Sequence, residues 1–78
     1  MNAKRVKKVQ NLCKNYLYPI QKSVFEGEIT ESRLNTLKMN LKNVIHPDED
    51  SVIIYHLDSV KYAKKEQLGL NHVSENII

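Results

Sequence analysis

Cysteine is almost missing from these 78 residues, and so are the residues that usually punctuate a chain: one Cys, two Gly, two Pro, one Phe and no Trp. A single thiol, Cys13, excludes an intramolecular disulfide. It fits a reducing compartment and reads as a small core residue rather than a nucleophile. The three histidines, His46, His56 and His72, have no Cys or paired-His spacing, so no zinc motif is present. They read as polar surface or strand-edge groups. No apolar run approaches the roughly 20 residues that span a bilayer, and the N-terminus has no apolar h-region of a signal peptide. These absences predict a soluble cytoplasmic protein with no membrane partner. No linker or low-complexity stretch divides the chain, so residues 1–78 read as a single domain. A domain this short buries only about 60–65% of the surface its unfolded chain exposes. Without disulfide or metal, oligomerisation is the remaining source of extra stability.

What is present is charge, unevenly spread. The net charge is +3, yet residues 1–25 hold Lys4, Arg5, Lys7, Lys8, Lys14 and Lys22 and no acid. All nine acidic residues fall in the remainder. A basic lobe on a small domain is either a solvated helix face or the footprint of a polyanion partner.

Val6, Val9, Cys13, Tyr16 and Leu17 recur at helical spacing, with Asn2 as N-cap, and predict a helix from about Ala3 to Leu17. Pro19 opens an extended segment, Ile20 to Ile29. Thr30 then caps a second helix striped by Leu34, Leu37, Leu41, Val44 and Ile45. His46-Pro47 stops that helix, and Asp48-Glu49-Asp50 reads as a polar turn. Ser51 to Leu57 reads as a buried central strand, and Tyr62 to Leu70 holds a short strand ended by Gly69. The two stripes and their caps superpose at a constant shift of 28, which also carries Ser23-Val24 onto Ser51-Val52. A doubled strand-helix-strand unit is what a ferredoxin-like βαββαβ domain requires. Shifted back by 28, the strand before helix two would lie upstream of Met1. The fold class expected is therefore α+β, ferredoxin-like and lacking its first strand, whose absence leaves neighbouring backbone groups without partners.

The run Ile20-Gln21-Lys22-Ser23-Val24-Phe25-Glu26-Gly27-Glu28-Ile29 resembles the I-Q-x-S-V-F-x-G-x-L signature of the Cas-two family of small CRISPR-associated proteins. Asp50-Ser51-Val52-Ile53-Ile54-Tyr55, Gln67-Leu68-Gly69 and the opening Asn2-Ala3-Lys4-Arg5-Val6 also match, in order, over almost the whole chain. The resemblance implies a ferredoxin-like homodimer whose C-terminal strands exchange edges, which would give tail residues 71–78 a partner sheet. It implies a CRISPR adaptation (spacer acquisition) subunit that holds DNA or RNA through phosphates and bridges the CRISPR integrase. The alternative it implies is a metal-dependent endonuclease on single-stranded RNA or duplex DNA, with Mg²⁺ as cofactor. Family members carry a metal-binding Asp at the end of the first strand. No residue here matches it, so the sequence assigns no catalytic and no metal-binding residue.

Lys4, Lys7, Lys8 and Lys14 fall opposite the apolar stripe of the first helix and suit sequence-independent phosphate contact as well as solvation. Arg5 lies beside that stripe, matches a basic family position, and has the fork geometry for phosphate. Ser23 and Phe25 fall in the family motif near the proposed cleft. Ser23 has no neighbouring base to make it a nucleophile, and Phe25 reads equally as core. The pairs Glu26/Glu28 and Asp48/Asp50 read as edge-strand and loop solvation. An RNA-recognition-motif domain is a third reading, but it needs exposed sheet aromatics in an R/K-G-F-G-F-like run that is not found here.

Overall fold

The computed structural model describes residues 2–57 and 63–70. The elements are α1 (Ala3–Cys13), β1 (Tyr18–Gln21), β2 (Val24–Glu28), α2 (Glu31–Lys42), β3 (Ser51–Leu57) and β4 (Ala63–Gly69). The four strands form one mixed sheet in the order β1-β2-β3-β4. β1 runs antiparallel to β2, β2 parallel to β3, and β3 antiparallel to β4. This is the α+β, ferredoxin-like class predicted from the repeat. The exchange expected for the tail concerns residues 71–78, which lie outside the described residues.

The 28-residue repeat is visible in the backbone. Asn2 Oδ1 accepts from the Arg5 N–H at 2.9 Å, and Thr30 Oγ1 accepts from the Arg33 N–H at 3.2 Å. At the other end, the Tyr16 and Leu17 N–H groups both donate to the Cys13 carbonyl, at 2.9 and 2.8 Å. Val44 and Ile45 repeat this on Leu41, at 2.9 and 3.0 Å. Shared i→i−3 and i→i−4 bonds of this kind tighten the last turn and satisfy carbonyls that would otherwise be orphaned. α1 therefore ends at Cys13 rather than Leu17, and the last two stripe residues sit in the capping turn. The stripe keeps its function: Val9, Cys13 and Leu17 are buried beside Leu34, Leu37, Leu41 and Ile45.

Residues 20–29, expected to form one extended segment, instead fold into the hairpin β1-β2, turning at Lys22-Ser23. Pro19 has no N–H to donate, and β1 is an edge strand where that loss is tolerated. The register slips between Pro19 and Gln21.

The expectation of an unpaired sheet centre does not hold. β2 and β3 are immediate parallel neighbours, with Val24 opposite Ile53 through Glu28 opposite Leu57. The Ile53 N–H donates to the Ser23 carbonyl at 2.9 Å, and the Ile29 N–H to the Leu57 carbonyl at 3.2 Å. The backbone groups of these two strands satisfy one another directly.

Phe25, Val52, Ile54 and Leu68 face the helices and complete the core. Each such side chain stabilises the fold by about 1.5–3 kcal/mol on burial. His56 shares that face and is 6% exposed, contrary to its reading as a surface group. Its Nε2 lies 3.4 Å from Glu66 Oε2, and Lys38 Nζ donates to Glu66 Oε1 at 2.9 Å. Burial alone would raise the Glu66 pKa, but the Lys38 hydrogen bond and charge, with His56, hold it below the usual carboxylate range. The opposite face of the sheet carries Tyr18, Ile53, Tyr55 and Leu57, with Tyr18 75% exposed.

Candidate nucleic-acid interface

The basic residues of the N-terminal third converge on α1 and the hairpin beside it. Within AKRVKKVQNLC the buried positions Val9 and Cys13 fix the helix orientation, which leaves Lys4, Lys7 and Lys8 on the exposed side. Lys14, the C-cap residue, is exposed as well. Gln10 Nε2 donates to the Lys22 carbonyl at 3.1 Å and ties the hairpin turn, with its exposed lysine, to the same helix. Lys22 counted only toward net charge in the sequence reading; this hydrogen bond places it beside the α1 set. No acidic residue lies within α1.

Arg5 is placed differently. Its Nε donates to Asp50 Oδ2 at 2.7 Å and its Nη2 to Asp50 Oδ1 at 3.1 Å. Nη2 also donates to Glu49 Oε1 at 3.0 Å. The side chain is 13% exposed, against 0% for Asp50 and 63% for Glu49. Asp50 Oδ2 further accepts from the His46 N–H at 2.7 Å, so one carboxylate organises the turn and anchors α1 to it. Asp50 is therefore a buried hub, not the solvated loop residue expected. Burial by itself would push its pKa up; the Arg5 hydrogen bonds, the His46 amide and the Arg5 charge outweigh that and hold it below the usual range. The guanidinium is in turn driven further toward its charged form, chiefly by the Asp50 hydrogen bond.

In the family motif, Phe25 is 1% exposed and packs in the core, with no ring face open to a ligand. Ser23 is half-buried, and its carbonyl opens the β2-β3 ladder. Arg33, the repeat counterpart of Arg5, lies 4.8 Å from the centroid of the Tyr16 ring and donates to the Asn15 carbonyl at 3.3 Å. The structure thus brings together Lys4, Lys7, Lys8, Lys14 and Lys22, turns Arg5 inward, and buries Phe25.

The model of the family described as CRISPR associated protein Cas2 matches residues 1–65. This chain belongs to the Cas2 family. Named as a CRISPR-associated endoribonuclease Cas2, a protein of Dictyoglomus turgidum is 43% identical over 70 residues, covering 90% of this chain and 80% of its own. The equivalent from Methanothermobacter thermautotrophicus is 36% identical over 78 residues, covering 100% of this chain and 86% of its own. That of Thermotoga maritima is also 36% identical over 78 residues, with 90% of its own length covered. No solved structure gives a significant match.

Magnesium is what the resemblance implies for the family, and three of the carboxylates described here have cationic partners. Asp50 and Glu49 are engaged by Arg5, and Glu66 by Lys38. Among the described residues, no three His, Cys, Asp or Glu side chains are grouped to hold a metal ion. Also among the described residues, no helix is long and apolar enough to cross a membrane.

Glu49 is the residue that the sequence reading passed over. Its contact with Arg5 spans 44 positions, and no local pattern announces it. Asp50 did carry a signal. It shares period-two parity with Val52, Ile54 and His56, all on the buried side of β3.

Proposed function

We propose that this chain is a CRISPR adaptation subunit, a homodimeric scaffold that grips nucleic acid through phosphates along α1 and bridges the CRISPR integrase. One observation carries the phosphate reading: the exposed lysines Lys4, Lys7 and Lys8 crowd the N-terminal half of α1 with no acid on the helix, and Lys4 stands in its first turn. Cations near a helix N-terminus oppose the macrodipole, at a cost of some 0.3–1 kcal/mol each. Lys4 and Lys8 are like charges four residues apart, a further small penalty. The counterpart α2 follows the favourable rule, with Glu31 in its first turn and Lys42 in its last. A helix that keeps Lys4, Lys7 and Lys8 exposed with no acid of its own to pair them has another use for them. A row of ammonium groups on a rigid helix face binds a phosphate backbone regardless of sequence and gains from counterion release.

The homodimer reading is supported by the open sheet face. Ile53, Tyr55 and Leu57 leave a partly exposed apolar strip along β3 on a chain short enough to need further burial. For bridging of the integrase the support is the family resemblance alone.

The test is a titration of labelled duplex DNA at several salt concentrations with the wild-type chain and a variant in which Lys4, Lys7, Lys8 and Lys14 are all Gln. Wild type should bind with a steep salt dependence, and the variant should lose about 3–4 units of slope, at about 0.9 per phosphate contact. Equal slopes would remove α1 from the interface.

A second reading, a metal-dependent endonuclease, is favoured by the names of the three relatives, each a CRISPR-associated endoribonuclease. Magnesium-dependent cleavage of single-stranded RNA or duplex DNA by the purified chain would establish it. The scaffold reading expects intact nucleic acid.

A further inference from the structure

We propose that Glu49 is a displaceable counter-ion on a preformed phosphate-binding edge of Arg5, so that nucleic acid binds there in exchange for this carboxylate. The inference rests on the phosphate reading of α1 and deepens it. Arg5 is held as phosphate-binding arginines need to be. Its Nε and one Nη2 hydrogen are fixed by the wholly buried Asp50, which removes most of the rotamer freedom that a surface Arg would lose on binding. The second Nη2 hydrogen goes to Glu49, an exposed side chain on the turn before β3. Among the described residues, no acceptor lies on Nη1. The guanidinium therefore has one locked edge, one donor under a solvent-facing carboxylate, and two donors left over.

Electrostatics decide the resting state. Glu49 sets an exposed negative charge against the outward Nη2 donor of Arg5, and that charge opposes an approaching phosphate. With Glu49 withdrawn, the Arg5–Asp50 pair is neutral and presents a fork of N–H donors suited to phosphate oxygens. Glu49 has somewhere to go: its Oε2 already lies 3.9 Å from His46 Nδ1. Asp50 cannot leave, since it is buried and also accepts from the His46 amide. The two adjacent acids thus divide the work. Asp50 positions the guanidinium, and Glu49 guards it. Lys4, the exposed neighbour of Arg5 on α1, makes the new contact continuous with the lysine row.

The experiment compares the wild-type chain with Glu49→Gln and Asp48→Asn in the same titration of labelled duplex DNA at several salt concentrations. Both residues are exposed in one turn and each substitution removes one negative charge, but only Glu49 touches Arg5. The expected result is that Glu49→Gln binds about fivefold tighter, the size of one charge about 4 Å away in bulk water. Its salt slope should stay close to that of wild type, because both chains make the same Arg5 phosphate contact once Glu49 is displaced. Asp48→Asn should change affinity less than about twofold and leave the slope alone. Equal changes of affinity in the two variants would overturn the proposal and leave the lysine interface standing. If neither wild type nor Glu49→Gln bound DNA or RNA at low salt, the phosphate reading itself would fall, and this inference with it.

Discussion

Gly69 ends β4 opposite Ser51, with a backbone φ of +96°. An added Cβ would stand 2.0 Å from the Asp50 carbonyl oxygen and 2.9 Å from its carbon. Both are backbone atoms, in the turn that Arg5 and the His46 amide hold in place, so no side chain can swing aside. A non-glycine residue in that conformation costs about 1–3 kcal/mol. Relieving the overlap also displaces the start of β3, at roughly 0.5–1.5 kcal/mol for each ladder hydrogen bond lost. Gly69→Ala should therefore cost about 3–5 kcal/mol. A chain of 78 residues has only about 4–12 kcal/mol in total. In urea unfolding followed by circular dichroism, with a slope near 1 kcal/mol per molar, the midpoint should fall by about 3 M or more. Ser51→Ala, across the same end of the ladder, is the control. It loses only the long 3.4 Å bond from Gln67 and should cost less than about 1 kcal/mol. A Gly69→Ala midpoint no lower than that of Ser51→Ala would refute the steric reasoning.

Acid should weaken the Asp50 anchor. A carboxylate whose pKa is lowered by folding adds stability that is present above its unfolded value of about 3.9 and is lost as pH falls through its lower folded value. An acid titration of wild-type stability should show this loss below about pH 4, and Asp50→Asn should lack that part of it. Undiminished acid sensitivity in the variant would remove Asp50 from the account. Cys13 is fully buried and burial pushes its thiol pKa up to about 12. Ellman's reagent at pH 8 should react only as fast as the chain unfolds, and rapid labelling of the native protein would contradict the core placement.

The parts legible in the sequence were those written in local periodicity. Two apolar stripes, two caps and a constant shift located α1 and α2, because each records contacts within four residues of chain. The hairpin was not legible: Lys22-Ser23 has none of the Gly or Asn chemistry that marks a tight turn, and the slip beside Pro19 breaks the alternation. The direct pairing of β2 with β3 was missed for another reason. A family pattern says which strands are usually neighbours, whereas backbone hydrogen-bond satisfaction acts on the strands present. At the candidate site, the exposed lysines followed from helix phase alone. The inward turn of Arg5 did not, because its partners lie 44 and 45 residues away. The chemistry of Asp50 and His56 was open to reading by strand parity, and composition misled: charged and polar residues suggested solvent where the alternation put them inside.

The doubled helix unit makes the chain its own control. Asn2 and Thr30 bond equivalent amides, and Cys13 and Leu41 receive equivalent pairs of N–H groups. The local backbone energetics of the two copies are thus matched while their surroundings differ: one faces the Arg5 clamp, the other the Tyr16 ring. Any difference between Asn2→Ala and Thr30→Ala, beyond the roughly 1 kcal/mol each cap is worth, measures what the neighbourhood adds to an identical motif. Few single chains offer that subtraction without recourse to a second protein.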